Sequence, residues 1–308
     1  MSVVDRDAPA ARADGTAAFE NETPARPAAR RGRSGSRAST VTFYSGIAFI
    51  VIYCLAPYYW MVVSSFRRTS DIFSLSPIPQ PFSLENYAAV FDPGQSFGRA
   101  LVNSVIVAGT TTVVALAIGI TTSYALARLK FRFKRALLAM IIATSMFPQV
   151  AIVVPLLKLF TGIGWINTYQ AMIAPSLSFA LPLAVWTLTT FFRQLPVELE
   201  HAALVDGCTR WQAFRRIILP LAAPGVFTTA IITFIGAWNE FLIALSMTNS
   251  PDYQTAPVAI SQFSGAAAFV APFGSQMAAG VIVTVPLLIL VMIFQRRIVA
   301  GLAAGAVK

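Results

Sequence analysis

Charge is what this sequence has least of. Only 12% of its 308 residues are Asp, Glu, Lys or Arg, against 56% hydrophobic, where a soluble globular domain carries about a quarter charged residues. Carboxylates are the scarcer sign, 13 against 23 lysines and arginines. Histidine occurs once, as His201, and cysteine twice, as Cys54 and Cys208. So small a supply excludes a disulfide framework and a Cys/His zinc cluster. A hydrolase acting within a membrane needs a nucleophile with its base, or paired carboxylates, at membrane depth. The sole histidine lies instead in a polar segment. A Gly-x4-Gly-Lys-Ser/Thr loop, which would cradle nucleotide phosphates, is also missing, so the chain itself is not an enzyme that hydrolyses ATP.

What the sequence has in abundance is apolar length. Six runs are long enough to cross about 30 Å of hydrocarbon, roughly 20 residues each. They are Phe43–Phe66, Arg99–Ala127, Ala136–Phe160, Tyr169–Phe192, Pro224–Met247 and Met277–Val299. The expectation is an all-α integral membrane protein of six transmembrane helices. The first run is not a cleaved signal peptide, because it follows a 40-residue tail, is too long for an h-region and has no small-residue cleavage site. Residues 1–40 are rich in Ala, Arg, Pro, Gly and Ser without helical or strand period, and read as a disordered basic tail. Residues 41–300 form the membrane domain, with a polar loop at 193–222, and 301–308 a C-terminal tail.

The net charge of +10 is topogenic by its distribution, and nucleic acid is not a partner. The tail has seven arginines, "RLKFRFKR" at Arg128–Arg135 five basic residues, Arg193–Arg216 four, and the C-terminal end Arg296, Arg297 and Lys308. The opposite side has only Arg67, Arg68, Arg99 and Lys158, the last two placed to snorkel from span ends. Basic residues gather on the cytoplasmic side, so both termini and the loop at 193–222 are cytoplasmic. The tail arginines suit anionic lipid headgroups; a regulatory or partner-binding role is the alternative.

One compact polar segment interrupts the second half: "EHAALVDGCTRWQAFRRIILPLAAPG", Glu200–Gly225. Read as helix from Pro196, it places Glu198 and Glu200 at the positive N-terminal end. Ala202 and Ala203 are small enough for another surface to approach closely, and Gly207 can end the helix at a positive φ. Thr209 suits the N-cap of a second helix, on which Trp211, Phe214, Ile217 and Ile218 share an apolar face, with Arg215 and Arg216 towards water. On these grounds alone it is either an amphipathic connector or a contact surface.

The segment resembles the EAA loop of ABC importer permeases, E-A-A-x3-G-x9-I-x-L-P. Ala202, Ala203, Gly207, Ile217, Leu219 and Pro220 fall in register, Asp206 matches the aspartate common before the glycine, and His201 stands where the family has Glu, with Glu200 adjacent. "SMFPQVAIVVPLLKLF", "GAWNEFLIAL" and the terminal "RRIVAGLAAGAVK" are similar to the maltose-type branch of carbohydrate importers, and within it to the second permease of actinobacterial trehalose importers. The resemblance implies a type I ABC importer permease fold in a bacterial plasma membrane. It also implies a second homologous permease, a dimer of cytoplasmic ATPase subunits, an extracellular sugar-binding protein and surrounding lipid as partners. ATP and Mg would be used by the ATPase, and this chain would bind no cofactor or metal. The loop would be the coupling helix, seated in a groove of the ATPase through Glu200, His201, Ala202, Ala203, Asp206, Gly207, Phe214, Ile217, Leu219 and Pro220. The terminal "GLAAGAVK" would reach into the ATPase dimer as a strand-like tail, or else be a plain terminus.

A sugar path needs an aromatic face and polar groups for hydroxyls. Trp238, Asn239 and Glu240 in the fifth span offer both, and an intramembrane carboxylate is a functional candidate by default. A helix–helix hydrogen bond is the competing reading. Gln149, beside Pro148 in the third span, is a further candidate; Pro148 and Pro155 can kink that span. The solute expected is a trehalose- or maltose-like di- or oligosaccharide, with a glycerophosphodiester or amino sugar as alternatives. An ion-coupled secondary transporter fits less well, because one intramembrane carboxylate and no clear inverted repeat is little to couple ions with.

Overall fold

The computed structural model of the chain describes residues 37–263 and 272–306, with side-chain surroundings for 40–263 and 272–295. Among the described residues there is no strand. The helices in order are α1 (Arg37–Ser65), α2 (Glu85–Val90), α3 (Phe97–Arg128), α4 (Lys134–Ser145), α5 (Gln149–Gly162), α6 (Tyr169–Gln194), α7 (Glu198–Val205), α8 (Arg210–Ala213), α9 (Leu219–Leu221), α10 (Ala223–Trp238), α11 (Leu242–Met247), α12 (Ala256–Ser261) and α13 (Phe273–Ala306), with a π-helical turn at Phe214–Ile218 between α8 and α9. The disordered basic tail expected at residues 1–40 lies outside the described residues up to position 36, and its last four residues, 37–40, are instead the start of α1.

Residues Met1–Ile52 and Tyr53–Lys308 form two separate units. Of the first, the described part is the beginning of α1, exposed from Thr40 to Ile52. Its apolar side chains suit a lipid surround, because lipid tails solvate Ile and Phe as well as a protein core does.

In the larger unit, α3, α6 and α10 pack on one another. Hydrocarbon supplies no hydrophobic drive between helices, so close backbone approach and buried polar contacts decide the packing. Small residues do this here. Ala108, Ala115 and Gly119 repeat along one side of α3 and are buried, and a Cβ at Gly119 would stand 3.5 Å from the Cβ of Ala184 on α6. Ser123 Oγ donates to the Val185 carbonyl across the same seam at 2.9 Å. Near the other end of α3, the fully buried Asn103 donates to the carbonyls of Asp252 and Gln254 at 2.8 and 2.9 Å and accepts the Tyr169 hydroxyl at 2.8 Å. One carboxamide thereby satisfies a turn of backbone that has no helix of its own.

Four helices are long and apolar enough to cross a membrane, and two bent pairs raise this to six if each pair counts as one span. The expected third span is one of these bent pairs; the other joins Arg210–Leu221 to Ala223–Trp238, and the expected fifth span, Pro224–Met247, breaks separately after Trp238. The third breaks between Ser145 and Gln149, where α4 and α5 meet at 86°. Pro148 has no N–H to continue α4 and disfavours helical backbone at Phe147, and it becomes the N-cap of α5 at ψ 122°. Pro155, the other expected kink, is carried inside α5. The fifth apolar run breaks after Trp238, and Leu242–Met247 forms a separate helix. Two consecutive polar residues bond to the helices on either side of this break. The Asn239 amide donates to the Ile235 carbonyl at 2.9 Å, while the Glu240 carboxylate accepts the N–H groups of Ile243 and Ala244 at 2.8 and 3.0 Å. Glu240 thereby meets two N–H groups that the start of α11 leaves free, while the Asn239 side chain adds a second donor to an Ile235 carbonyl that already accepts the Asn239 N–H at 3.1 Å.

Candidate functional site

The polar segment folds as two short helices joined at a sharp turn. The first begins at Glu198, two residues later than Pro196 suggests, and keeps Glu198 and Glu200 in its first turn. Gly207 then takes φ +85°, a conformation that costs any residue with a Cβ. Thr209 caps the second helix through a reciprocal capping box: its hydroxyl accepts the Gln212 N–H at 3.3 Å, and the Gln212 side chain accepts the Thr209 N–H at 2.8 Å. The helix widens into a π-turn at Phe214–Ile218, just ahead of Pro220, which has no N–H to return to a preceding carbonyl. It then turns by 70° into α10.

This hairpin has two faces. On the inner one, Phe214 and Ile218 join Leu188, Phe192 and Ala222 in a buried cluster, against which Ile217, Leu219 and Tyr124 pack. Ala203 is buried here too. Glu200 is only 7% exposed; it accepts the Tyr124 hydroxyl at 2.8 Å and pairs with Arg128, Nε to Oε2 3.7 Å. The outer face presents His201, Ala202, Val205, Asp206, Gly207, Trp211 and Pro220, with Val205 86% and Trp211 61% exposed.

The division corrects several expectations. Glu200, Ala203 and Phe214, expected at the groove, are buried against their own chain. Of the two alanines expected to admit a close approach, Ala202 alone is free to do so. Trp211 leaves the apolar face on which its spacing puts it, touching Phe214 at a ring-centroid distance of 5.3 Å while most of it stays exposed. The hairpin is thus too short and too tightly turned for a single helical stripe.

A second constellation lies at the two breaks. Gln149, the first residue of α5, and Glu240, between α10 and α11, line one cavity of about 230 Å³ with Ser176 and Thr233 and the apolar walls of Phe179 and Leu183. The Ser176 hydroxyl donates to the Met172 carbonyl at 2.8 Å, which leaves its lone pairs, and the buried Thr233 hydroxyl has no partner. The other two path candidates are placed differently. Trp238 is 1% exposed, packed against Phe234, and does not line the cavity; nor does Asn239, which is exposed and donates one amide N–H to α10. Among the described residues the Glu240 carboxylate bonds to the N–H groups that open the next helix of its own chain.

Sequence reasoning passes over Tyr124, Ser176 and Thr233, which carry no motif and sit inside apolar runs. Arg128 counts there only as a topogenic charge, though it is buried against Glu200. The C-terminal "GLAAGA" is not strand-like: Gly301–Ala306 prolong α13, and Val307 and Lys308 lie outside the described residues. Among the described residues no cluster of His, Cys, Asp and Glu could hold a metal ion.

A bundle interrupted at two polar breaks, with a turned hairpin offering one face outward and anchoring the other, defines a membrane permease of the type I ABC importer fold. Residues 94–303 match the family described as binding-protein-dependent transport system inner membrane component, and the chain belongs to that family. It is a multi-pass transport subunit, not an enzyme. It is 44% identical to the trehalose transport system permease protein SugB of Mycobacterium tuberculosis, across 88% of this chain and 99% of that protein. It is 40% identical to the trehalose/maltose transport system permease protein MalG of Thermococcus litoralis, across 85% and 95%. Among solved structures, a bacterial ABC transporter involved in import of the acidic polysaccharide alginate matches in fold, with TM-score 0.70 and 17% identity over 85% of this chain and 98% of that one.

Proposed function

We propose that this chain is one of two homologous permeases in an ATP-driven importer of a trehalose- or maltose-like di- or oligosaccharide. The observation that carries the reading is the two-faced hairpin. His201, Ala202, Val205, Asp206 and Trp211 stand free for a partner, and the face behind them is anchored in the bundle. Such a part passes motion from a soluble subunit to the spans. The partner on its outer face is a cytoplasmic ATPase dimer, which uses ATP and Mg, and an extracellular binding protein delivers the sugar from the other side. Both termini are then cytoplasmic. The similarity to proteins named for trehalose and maltose transport supports the sugar class. The α4–α5 elbow leaves Met140, Met146, Phe147, Val150 and Val154 exposed, a surface suited to lipid or to the second permease.

Gly207 sets the hairpin angle, His201 makes a rim contact where the family carries Glu, and Ala202 permits close seating. Gln149 and Glu240, with Ser176 and Thr233, contribute hydroxyl-binding groups to the sugar path. The test is to purify the chain in mild detergent, identify the ATPase that accompanies it, and measure hydrolysis of the complex with binding protein over a panel of trehalose, maltose, amino sugars and glycerophosphodiesters. Stimulation by trehalose or maltose is the expected result. Absence of an ATPase, or stimulation by another solute alone, overturns the reading.

A further inference from the structure

We propose that Glu200, Arg128 and Tyr124 form a latch fixing the coupling hairpin to span α3, which makes Glu200 a positioning residue for transport. The proposal rests on the reading that the outer face of the hairpin docks on an ATPase, and it concerns the opposite face.

The Glu200 and Arg128 side chains are each 9% exposed. Glu200 Oε1 accepts the Tyr124 hydroxyl at 2.8 Å, and Oε2 faces Arg128 Nε at 3.7 Å. The other end of the guanidinium donates to the Leu195 carbonyl at 2.7 Å, on the stretch that leads into α7. Arg128 therefore reaches the entry of the hairpin by a hydrogen bond and its first turn by charge, since Nε and Oε2 are buried without a hydrogen-bond partner among the described residues. The Tyr124 ring lies 4.5 Å from Phe214 in the π-turn and 6.0 Å from Phe192 on α6. These two residues, four apart on α3, touch α6, α7 and the second half of the hairpin together.

A lever delivers displacement only if it is stiff where it joins its load. The outer face can be gripped through Ala202 and Gly207, yet a hairpin free to pivot on α3 would absorb the movement. A buried pair of charges suits a joint of this kind, because removing one partner leaves the other uncompensated in a medium that solvates it poorly, while removing both does not. None of the three residues belongs to the outer face, so changing them leaves the docking surface as it is.

The test uses the complete importer in proteoliposomes, with trehalose uptake and ATP hydrolysis measured on the same sample. Glu200→Gln is expected to assemble and hydrolyse ATP, while sugar moved per ATP falls at least about fivefold, the lower end of usual coupling energies. Tyr124→Phe should move the ratio the same way by less, and it carries the test if Glu200→Gln does not assemble. Arg128→Gln added to Glu200→Gln should restore part of the loss, since a linked pair is non-additive. Three results overturn the latch: an unchanged ratio in Glu200→Gln or, if that fails to assemble, in Tyr124→Phe; losses that multiply in the double variant; or a Glu200→Gln complex that loses its ATPase, which would make Glu200 a docking residue. A wild-type complex that moves no sugar sinks the functional reading instead, independently of the latch.

Discussion

One oxygen of Glu240 accepts the Ile243 N–H at 2.8 Å, so the acid of the fifth span is first of all the cap of helix α11. Removing a cap costs about 1 kcal/mol, in a range of roughly 0.5–2. Glu240→Ala should therefore lower the thermal midpoint of the purified subunit. Glu240→Gln keeps one carbonyl oxygen for the Ile243 N–H but loses the acceptor for the Ala244 N–H, and should lower that midpoint by less than Glu240→Ala. It exchanges a carboxylate oxygen for an amide N–H at the cavity, and uptake at low sugar should fall about tenfold. Equal uptake by Glu240→Gln and wild type would confine Glu240 to capping.

The φ of +85° at Gly207 makes its own prediction. A Cβ there meets nothing within 4 Å, so substitution is opposed by the backbone and not by crowding within the chain. Asn tolerates the left-handed region and a β-branched residue does not. Gly207→Val should insert in the membrane but lose ATPase co-purification and transport, whereas Gly207→Asn should keep most of both. Similar losses in the two variants would point to the space the glycine leaves for the partner, not to its backbone.

Ala202 and Ala203 are neighbours in sequence and opposites in place, one exposed and one 2% exposed. Ala203→Trp overpacks the inner face, at a cost of typically 1–3 kcal/mol or more, and should destabilise the subunit even without an ATPase. Ala202→Trp should leave the free subunit as stable as wild type and block docking. Thermal unfolding of each variant alone, followed by ATPase pull-down, separates them; a reversed order would mean that the hairpin presents its other face.

The spans, the hairpin and its glycine turn were legible in the sequence because each rests on a local signal: apolar length, capping residues, a glycine before a Thr cap. The breaks in the third and fifth runs were only partly legible. Pro148 announces the first, but nothing in "GAWNEFLIAL" says that the helix stops at Trp238 and that Glu240 caps the next one. Which way Glu200 points was hidden for a related reason. Its partners, Tyr124 and Arg128, are more than 70 residues away, and only tertiary packing brings them within reach.

Orientation can be read by thiol labelling in a background without Cys54 and Cys208. Single cysteines at Ser34, Val205 and Lys308 should react with an impermeant reagent only after the inner face is opened, and one at Ser83 should react in intact cells. Labelling of any of the first three in intact cells contradicts cytoplasmic termini and a cytoplasmic hairpin.

The central claim is that ATP hydrolysed by a partner drives sugar through this subunit. It is tested most directly by sealed proteoliposomes holding this chain, its partner permease and the ATPase, with binding protein and labelled trehalose on the side away from the ATPase. Accumulation that requires ATP on the ATPase side and is lost with Gly207→Val is the predicted result. Accumulation without ATP, driven by an imposed proton or sodium gradient, would contradict the account and make the chain a secondary transporter.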